Sequence, residues 1–289
     1  MKMTMERNQL PTITRLIIGG LLAAATSAFA QGSLTPPAGG PAPTMKSLDQ
    51  IEPRTAITYD GYYIGTPGSY YVTTNLTGSA YGSPGSPYGI YIASDNVTVD
   101  LNGFTLQGVT GSYSGIYIYG SHTNITIRNG IITGWGGDGV SFNYPTATPQ
   151  NMVVEHLTVT ANGHHGIAVG NSCVVSGCSI NNNQWLGISV LGDNSRIIHN
   201  SLIGNDTGSH PGAAGINVQG NNNFVEDNFV SGINGNNGIV VQTGTSNLVM
   251  KNSVIGWGTA NDYSIPTFND GGPVGTAANS TSPWANIAH

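Results

Sequence analysis

The sequence predicts an all-β, single-domain right-handed parallel β-helix: a solenoid of about eight coils with an N-terminal cap and a C-terminal tail. Three observations predict it. The phrase Gly-Ile-x-Val recurs, as Gly89-Ile90-Tyr91-Ile92, Gly115-Ile116-Tyr117-Ile118, Gly166-Ile167-Ala168-Val169, Gly187-Ile188-Ser189-Val190, Gly215-Ile216-Asn217-Val218 and Gly238-Ile239-Val240-Val241, with Gly139-Val140 as a shorter copy. The copies lie 21 to 28 residues apart. A second phrase keeps step with it: Asn102-Gly103, Asn129-Gly130, Asn200-Ser201, Asn228-Phe229 and Asn252-Ser253, with His156 and Gly177 on the two remaining rungs. Two phrases locked in one period mean one unit copied and stacked. Third, strand-length runs of β-branched residues alternate with Gly and Asn turns, and no helical spacing of apolar residues appears. The right hand follows from the preference for right-handed parallel crossovers.

The elements follow in order. Residues 1–30 read as a secretory signal peptide. Lys2, Arg7 and Arg15 give a basic start, Leu16 to Ala25 a short apolar run, and Ala28-Phe29-Ala30 a small-x-small cleavage site before Gln31. The run is too short to span a bilayer, and no later stretch is apolar enough to do so. The expected location is therefore secreted, periplasmic or extracellular. Residues 31–44 form a Pro/Gly-rich linker. Residues 45–66 carry Lys46, Asp49, Glu52 and Arg54 and read as a polar cap over the first open sheet edge. The β-helix runs over 67–257. One coil shows its plan: strand Gly115 to Tyr119, turn Ser121 to Asn124, strand Ile125 to Ile127, turn Asn129-Gly130, strand Ile131 to Thr133. The Asn column stacks amides at tight turns, where Asn and Gly tolerate the left-handed conformation. Residues 258–289 read as a tail folded back along the solenoid with Trp284 as its anchor.

Composition excludes some partners. Only 8% of residues are charged, against roughly 25% in an ordinary domain. Beyond residue 30 there remain 5 basic and 13 acidic residues, a net charge of −8. Nucleic acid is not an expected partner, because binding it needs clustered Lys and Arg. A strongly polyanionic glycan is disfavoured unless a metal ion supplies positive charge. Cys173 and Cys178 sit in one repeat. A disulfide would need the turn at Ser176-Gly177 to bring them close, whereas a small-residue interior favours two buried thiols. Oligomeric state is open.

Four segments carry a resemblance: Asp49 to Thr55 (Asp-Gln-Ile-Glu-Pro-Arg-Thr), Gly68-Ser69-Tyr70-Tyr71, Val99 to Leu106, and Pro283-Trp284-Ala285-Asn286. They resemble secreted bacterial right-handed parallel β-helix proteins of the pectin-lyase-like superfold, in a branch without an assigned activity. The resemblance spans roughly 45–289 and implies the fold. The wider superfold includes polysaccharide lyases, glycoside hydrolases, uronan epimerases, adhesins and tailspikes, so it implies a carbohydrate partner more than a reaction. The polygalacturonase-like signatures are missing, except for a poor echo in Gly163-His164-His165-Gly166. The Asp-Pro-His motif of epimerases is absent. Calcium is the one cofactor the resemblance leaves open, and scattered Met45, Met152 and Met250 argue against a copper site.

Two surface columns could hold chemistry. The first lies just before each Asn rung: Arg128, Glu155, Ser176, His199, Asp227 and Lys251. Glu155 or Asp227 could act as acid or base in a glycosidase, and Arg128, His199 or Lys251 in a lyase. The same residues could equally be cross-coil ion pairs, Arg128–Glu155 and His199–Asp227–Lys251. The second column precedes each Gly-Ile-x-Val: Tyr113-Ser114, Gly137-Asp138, His164-His165 and Trp185-Leu186. Asp138 and His165 occupy matching places on adjacent coils, so their pairing would fix an imidazole tautomer as a general base requires. The alternative is an ordinary turn column. Tyr113 and Trp185 flank the pair, and Tyr91, Tyr117 and Tyr119 point outward beside inward isoleucines. Such rings suit the faces of sugars.

The expectation is a secreted carbohydrate-interacting β-helix that binds a neutral or weakly charged polysaccharide, with cleavage by a lyase or hydrolase reaction an open question. The rival is a non-catalytic surface, adhesive or structural β-helix.

Overall fold

The computed structural model describes residues 53–83, 86–208, 210, 212, 214–232, 237–256, 262–267, 269–275 and 282–288. The stretches read as a signal peptide and a linker, and residues 45–52 of the expected cap, lie outside the described residues, as do parts of the expected tail. The described residues form strands, turns and bends, and no helix.

All strand pairings are parallel and fall into two sheets that run along the solenoid. A 9-stranded sheet takes the Gly-Ile-x-Val segments, among them Ile90–Ile92, Ile116–Ile118, Val140–Phe142, Ile167–Val169 and Ile188–Val190. An 18-stranded sheet takes the rest of each coil and bends at the second phrase. Register stacks like on like: Ile90, Ile116, Val140, Ile167, Ile188, Ile216 and Ile239 align through successive coils. All seven are fully buried in one continuous core. Neither face of a strand alone could bury this surface; stacking does.

The glycine that opens the phrase has a steric cause. A Cβ on Gly89, Gly115, Gly139, Gly166, Gly187, Gly215 or Gly238 would lie 2.6–2.8 Å from a backbone carbonyl oxygen on the next coil. Contacts that short are not tolerated, so only glycine lets the coils close to strand spacing here.

The corners are held by buried amides. Asn200 Nδ2 donates to Asn228 Oδ1 at 3.0 Å, Asn228 Nδ2 to Asn252 Oδ1 at 3.0 Å, and Asn252 Nδ2 to Asn286 Oδ1 at 3.2 Å. Their second hydrogens reach interior carbonyls, such as Val175 O at 2.9 Å from Asn200. A second ladder runs Asn162–Asn183–Asn205, and a third links Asn223, Asn247 and Asn269. The amides of these ladders are thereby paired, as a dry interior demands.

The single Asn column expected from sequence is in fact two. Asn102, Asn129, His156, Gly177, His199, Asp227 and Lys251 share the left-handed bend position, with φ between 52° and 60°. The buried ladder lies one residue later, at Cys178, Asn200, Asn228 and Asn252. His199, Asp227 and Lys251 therefore stack with Asn129 and His156, not with Arg128, Glu155 and Ser176. The latter align instead with Ile198, Glu226 and Met250.

The ends also differ from expectation. Strands Thr55–Ile57 and Tyr62–Ile64 pair with Gly68–Val72 and Ile90–Ile92, so coil structure begins inside the stretch read as a cap. At the other end, Trp284 is 55% exposed, whereas Asn286 is fully buried and ends the amide ladder. Asn286, rather than Trp284, anchors the tail. Cys173 and Cys178 are free and buried at different corners, where their amides bond Ser195 and Asn200. Burial pushes both thiols up to about 11.

Candidate functional site

The third letter of each Gly-Ile-x-Val faces outward, and register lines these letters up as Tyr91, Tyr117, Ser141, Ala168, Ser189, Asn217 and Val240. At the N-terminal end this column grows into a tyrosine cluster. Tyr63 stacks on Tyr91 at 5.7 Å, Tyr88 on Tyr117 at 4.5 Å, Tyr91 on Tyr119 at 5.8 Å, and Tyr81 on Tyr113 at 5.3 Å. Desolvation, aided by neighbouring phenols, raises Tyr88, Tyr91 and Tyr117 above the usual phenol range.

Further along the axis, stacked turns present Asp138, His164, His165 and Trp185. The turns are tied by backbone bonds, His164 N to Gly137 O and Trp185 N to His164 O, each 3.1 Å. Asp138 Oδ1 accepts from the His165 amide at 2.8 Å and from His164 Nδ1 at 2.6 Å. A carboxylate can only accept, so Nδ1 of His164 carries the hydrogen and Nε2 is left as the basic nitrogen. The sequence expectation paired Asp138 with the ring of His165. The ring that pairs is that of His164, because Asp138 meets His165 through its peptide N–H.

The His165 ring lies against His164 and Trp185, with centroids 4.0 and 5.1 Å away. Burial lowers its pKa from 6.5 to about 4, against the opposing pull of Asp138 and with the charges of His164 and His210 adding to the fall. It is therefore neutral near pH 7, and its Nδ1 is buried without a hydrogen-bond partner. Trp185 stacks in turn on His210 at 5.2 Å.

Two clefts open on this face and meet at Tyr144. One, of about 550 Å³, is lined by Tyr88, Tyr113, Tyr117, Asp138, Ser141 and Tyr144, among others. The other, of about 270 Å³, is lined by His165, Trp185, Ser189, Asn217, Gln219 and Gln242, with Tyr144 at its edge. No lysine or arginine lines either, and Asp138 is their one carboxylate. Gln242 Oε1 accepts from Asn217 Nδ2 and Gln219 Nε2, both at 3.0 Å, while buried Asn217 Oδ1 has no partner.

The structure thus brings together Tyr91, Tyr113, Tyr117, Tyr119, Asp138, His164, His165 and Trp185. It separates them from Glu155, His199, Asp227 and Lys251, which lie at the bend of the other sheet. There the expected pairs are partly redrawn. Arg128 Nε bonds Asp100 Oδ2 at 3.1 Å, not Glu155, and Lys251 Nζ bonds Glu226 Oε1 at 2.6 Å. His199 does face Asp227, at 3.6 Å. Sequence reasoning missed Ser141, Tyr144, Asn217 and Gln242. The first and third were within reach, since they hold the same outward letter of the phrase as Tyr91 and Tyr117.

By structure, the chain is similar to tailspike protein 2 of Escherichia coli O157:H7 bacteriophage CAB120, at 16% identity and a TM-score of 0.52 over 68% of this chain. It spans 31% of the tailspike's length. It is also similar to the A-module of mannuronan C-5 epimerase AlgE6 from Azotobacter vinelandii (16% identity, TM-score 0.49, 82% of this chain and 80% of that one). Pectate lyase Pel9A shows 13% identity and a TM-score of 0.49 over 79% of this chain and 72% of its own. At such identities the likeness is one of fold. No curated protein matches by sequence. The family described as right handed beta helix region matches residues 88–255, more than half of the chain, and this protein belongs to it.

Proposed function

We propose that this chain is a secreted protein that binds a neutral or weakly charged polysaccharide along its Gly-Ile-x-Val face. The observation that carries the reading is the lining of the two joined clefts: tyrosines, Trp185, hydroxyls and side-chain amides, with no lysine or arginine. Aromatic faces pack on the C–H surfaces of sugar rings, and neutral donors and acceptors match hydroxyl groups. An acidic glycan would lack a cationic partner there.

Binding is tested by titrating neutral and acidic polysaccharides and following tryptophan fluorescence. The reading predicts saturation by a neutral glycan and a loss of affinity in Trp185→Ala. Saturation by acidic glycans alone would sink it. Secretion rests on residues 1–30, and N-terminal sequencing of the exported protein should begin at Gln31.

One observation favours a catalytic extension. The 2.6 Å bond from His164 to Asp138 orients an imidazole beside the larger cleft. Two-carboxylate glycoside hydrolysis needs a second acid, and the cleft linings offer Asp138 alone. The dyad therefore suits proton abstraction by His164 Nε2, the step a polysaccharide lyase performs on a uronate unit, so this extension applies only to a weakly charged glycan that carries some uronate. New unsaturated chain ends, absent in His164→Gln, would support it; reducing ends without unsaturation would count against it.

A further inference from the structure

We infer that Asp138, His164 and His165 form a binding site for a divalent transition ion of the zinc class. One donor atom from each residue lies within 4.8 Å of the other two. Donors around a tetrahedral zinc ion, at bonds near 2.1 Å, are roughly 3.4 Å apart. Side-chain rotation would have to close that gap, and an ion bound at His164 Nδ1 would take the place of the hydrogen now shared with Asp138 Oδ1.

The donor chemistry selects the ion. Calcium takes six to eight oxygen ligands, whereas two imidazoles and one carboxylate are a borderline set that suits zinc and its neighbours. Calcium, left open by the sequence, is the poorer fit here.

Two further observations point to a ligand. The buried Nδ1 of His165 has no hydrogen-bond partner, although buried polar atoms are nearly always paired. The ligands are also already positioned. Asp138 is fixed by the His165 amide, and the turns that carry His164 and Trp185 are bonded coil to coil. Such backbone hydrogen bonds are what orient metal ligands in general.

The site also has an open side. Asp138 lines the larger cleft and His165 the smaller, and His164 is held beside them by its bond to Asp138. A fourth coordination position would face a bound molecule or water. An ion there would add positive charge to a face whose clefts hold no lysine or arginine. That would widen the range of glycans toward uronates. This last consequence rests on the polysaccharide reading, whereas the metal site does not.

The test is calorimetric titration of the EDTA-treated full chain with zinc chloride and with calcium chloride. One zinc ion per chain should bind at least about tenfold more tightly than calcium. Asp138→Asn and His164→Gln should each weaken zinc by about tenfold or more, while His199→Gln, at the far bend, should leave it unchanged. Cobalt titration gives a second readout: an intense visible band of tetrahedral cobalt, lost in His164→Gln. His165→Gln is read only alongside a circular dichroism spectrum, because that ring is buried. Absence of saturable zinc binding, or zinc binding kept in both Asp138→Asn and His164→Gln, would overturn the inference. Glycan binding is measured in parallel on the metal-free chain. Zinc without glycan binding would support the site and sink the polysaccharide reading, and glycan without zinc binding would do the reverse.

Discussion

Along the bend of the 18-stranded sheet, charged and polar side chains find partners on the neighbouring coil: Arg128 on Asp100, His199 on Asp227, Lys251 on Glu226. Along the outward face of the 9-stranded sheet, rings, hydroxyls and amides replace charge, and His165 Nδ1 and Asn217 Oδ1 find no partner at all. Both faces share one backbone pitch and one repeat. The difference lies in what stands one coil away. Where opposite charges recur at the stacking distance, a surface satisfies itself and has little left to offer a ligand. Where it recedes into clefts walled by aromatic rings, some of its polar atoms are left without a partner.

The contrast can be broken first at the scaffold that both faces share. Asn228→Ala removes the acceptor of both the Asn200 amide and the Asn200 Nδ2, and the donor to Asn252. Leaving these groups buried and unpaired should cost about 4 kcal/mol in urea unfolding. A loss under about 1 kcal/mol would mean that the ladder is not a source of stability.

The next effect separates the faces by pH. His165 is held neutral in the folded chain, at about 4 against an unfolded value of 6.5. An unfolded chain therefore takes up a proton that the folded one refuses. Stability should be full above 6.5 and fall by roughly 3 kcal/mol as the pH drops toward 4. Asp138, His164 and His210 also face this ring, so the control is the difference between the native chain and His165→Gln. That variant should lose part of the slope; identical pH profiles would remove His165 as its origin.

Trp185→Ala should weaken glycan binding about tenfold, or 1–2 kcal/mol, with little change in melting temperature. The smallest effect belongs to the charged face. His199→Gln removes an exposed pair and should alter stability by no more than about 0.5 kcal/mol, leaving glycan affinity untouched. A large binding defect there would relocate the site to the bend.

Much of the fold was legible because its cause is repeated. Seven copies of one phrase average out local noise, and the opening glycine announces a close backbone contact at every coil. The site was legible in part. The outward letter of the phrase placed Tyr91 and Tyr117, and the turn before it placed Asp138, His164, His165 and Trp185 together. Two things were hidden. Asn129 at a left-handed bend and Asn200 in a buried ladder are the same letter, so the columns were merged and His199, Asp227 and Lys251 slipped by one position. His164 and His165 are neighbours in sequence, and only three-dimensional geometry tells which one offers its ring to Asp138 and which its peptide.

The glycine column also says how such a chain can change length. Because each of these glycines meets the next coil at nearly the same distance, a segment running from one to the next is an interchangeable part. Removing or duplicating it whole restores both the glycine contact and the inward isoleucine stack at the new junction. A cut between non-equivalent positions would set a Cβ against a carbonyl. Growth of this molecule by coils is therefore nearly free of new backbone strain, while growth by single residues is confined to the turns, where the clefts and their chemistry are shaped.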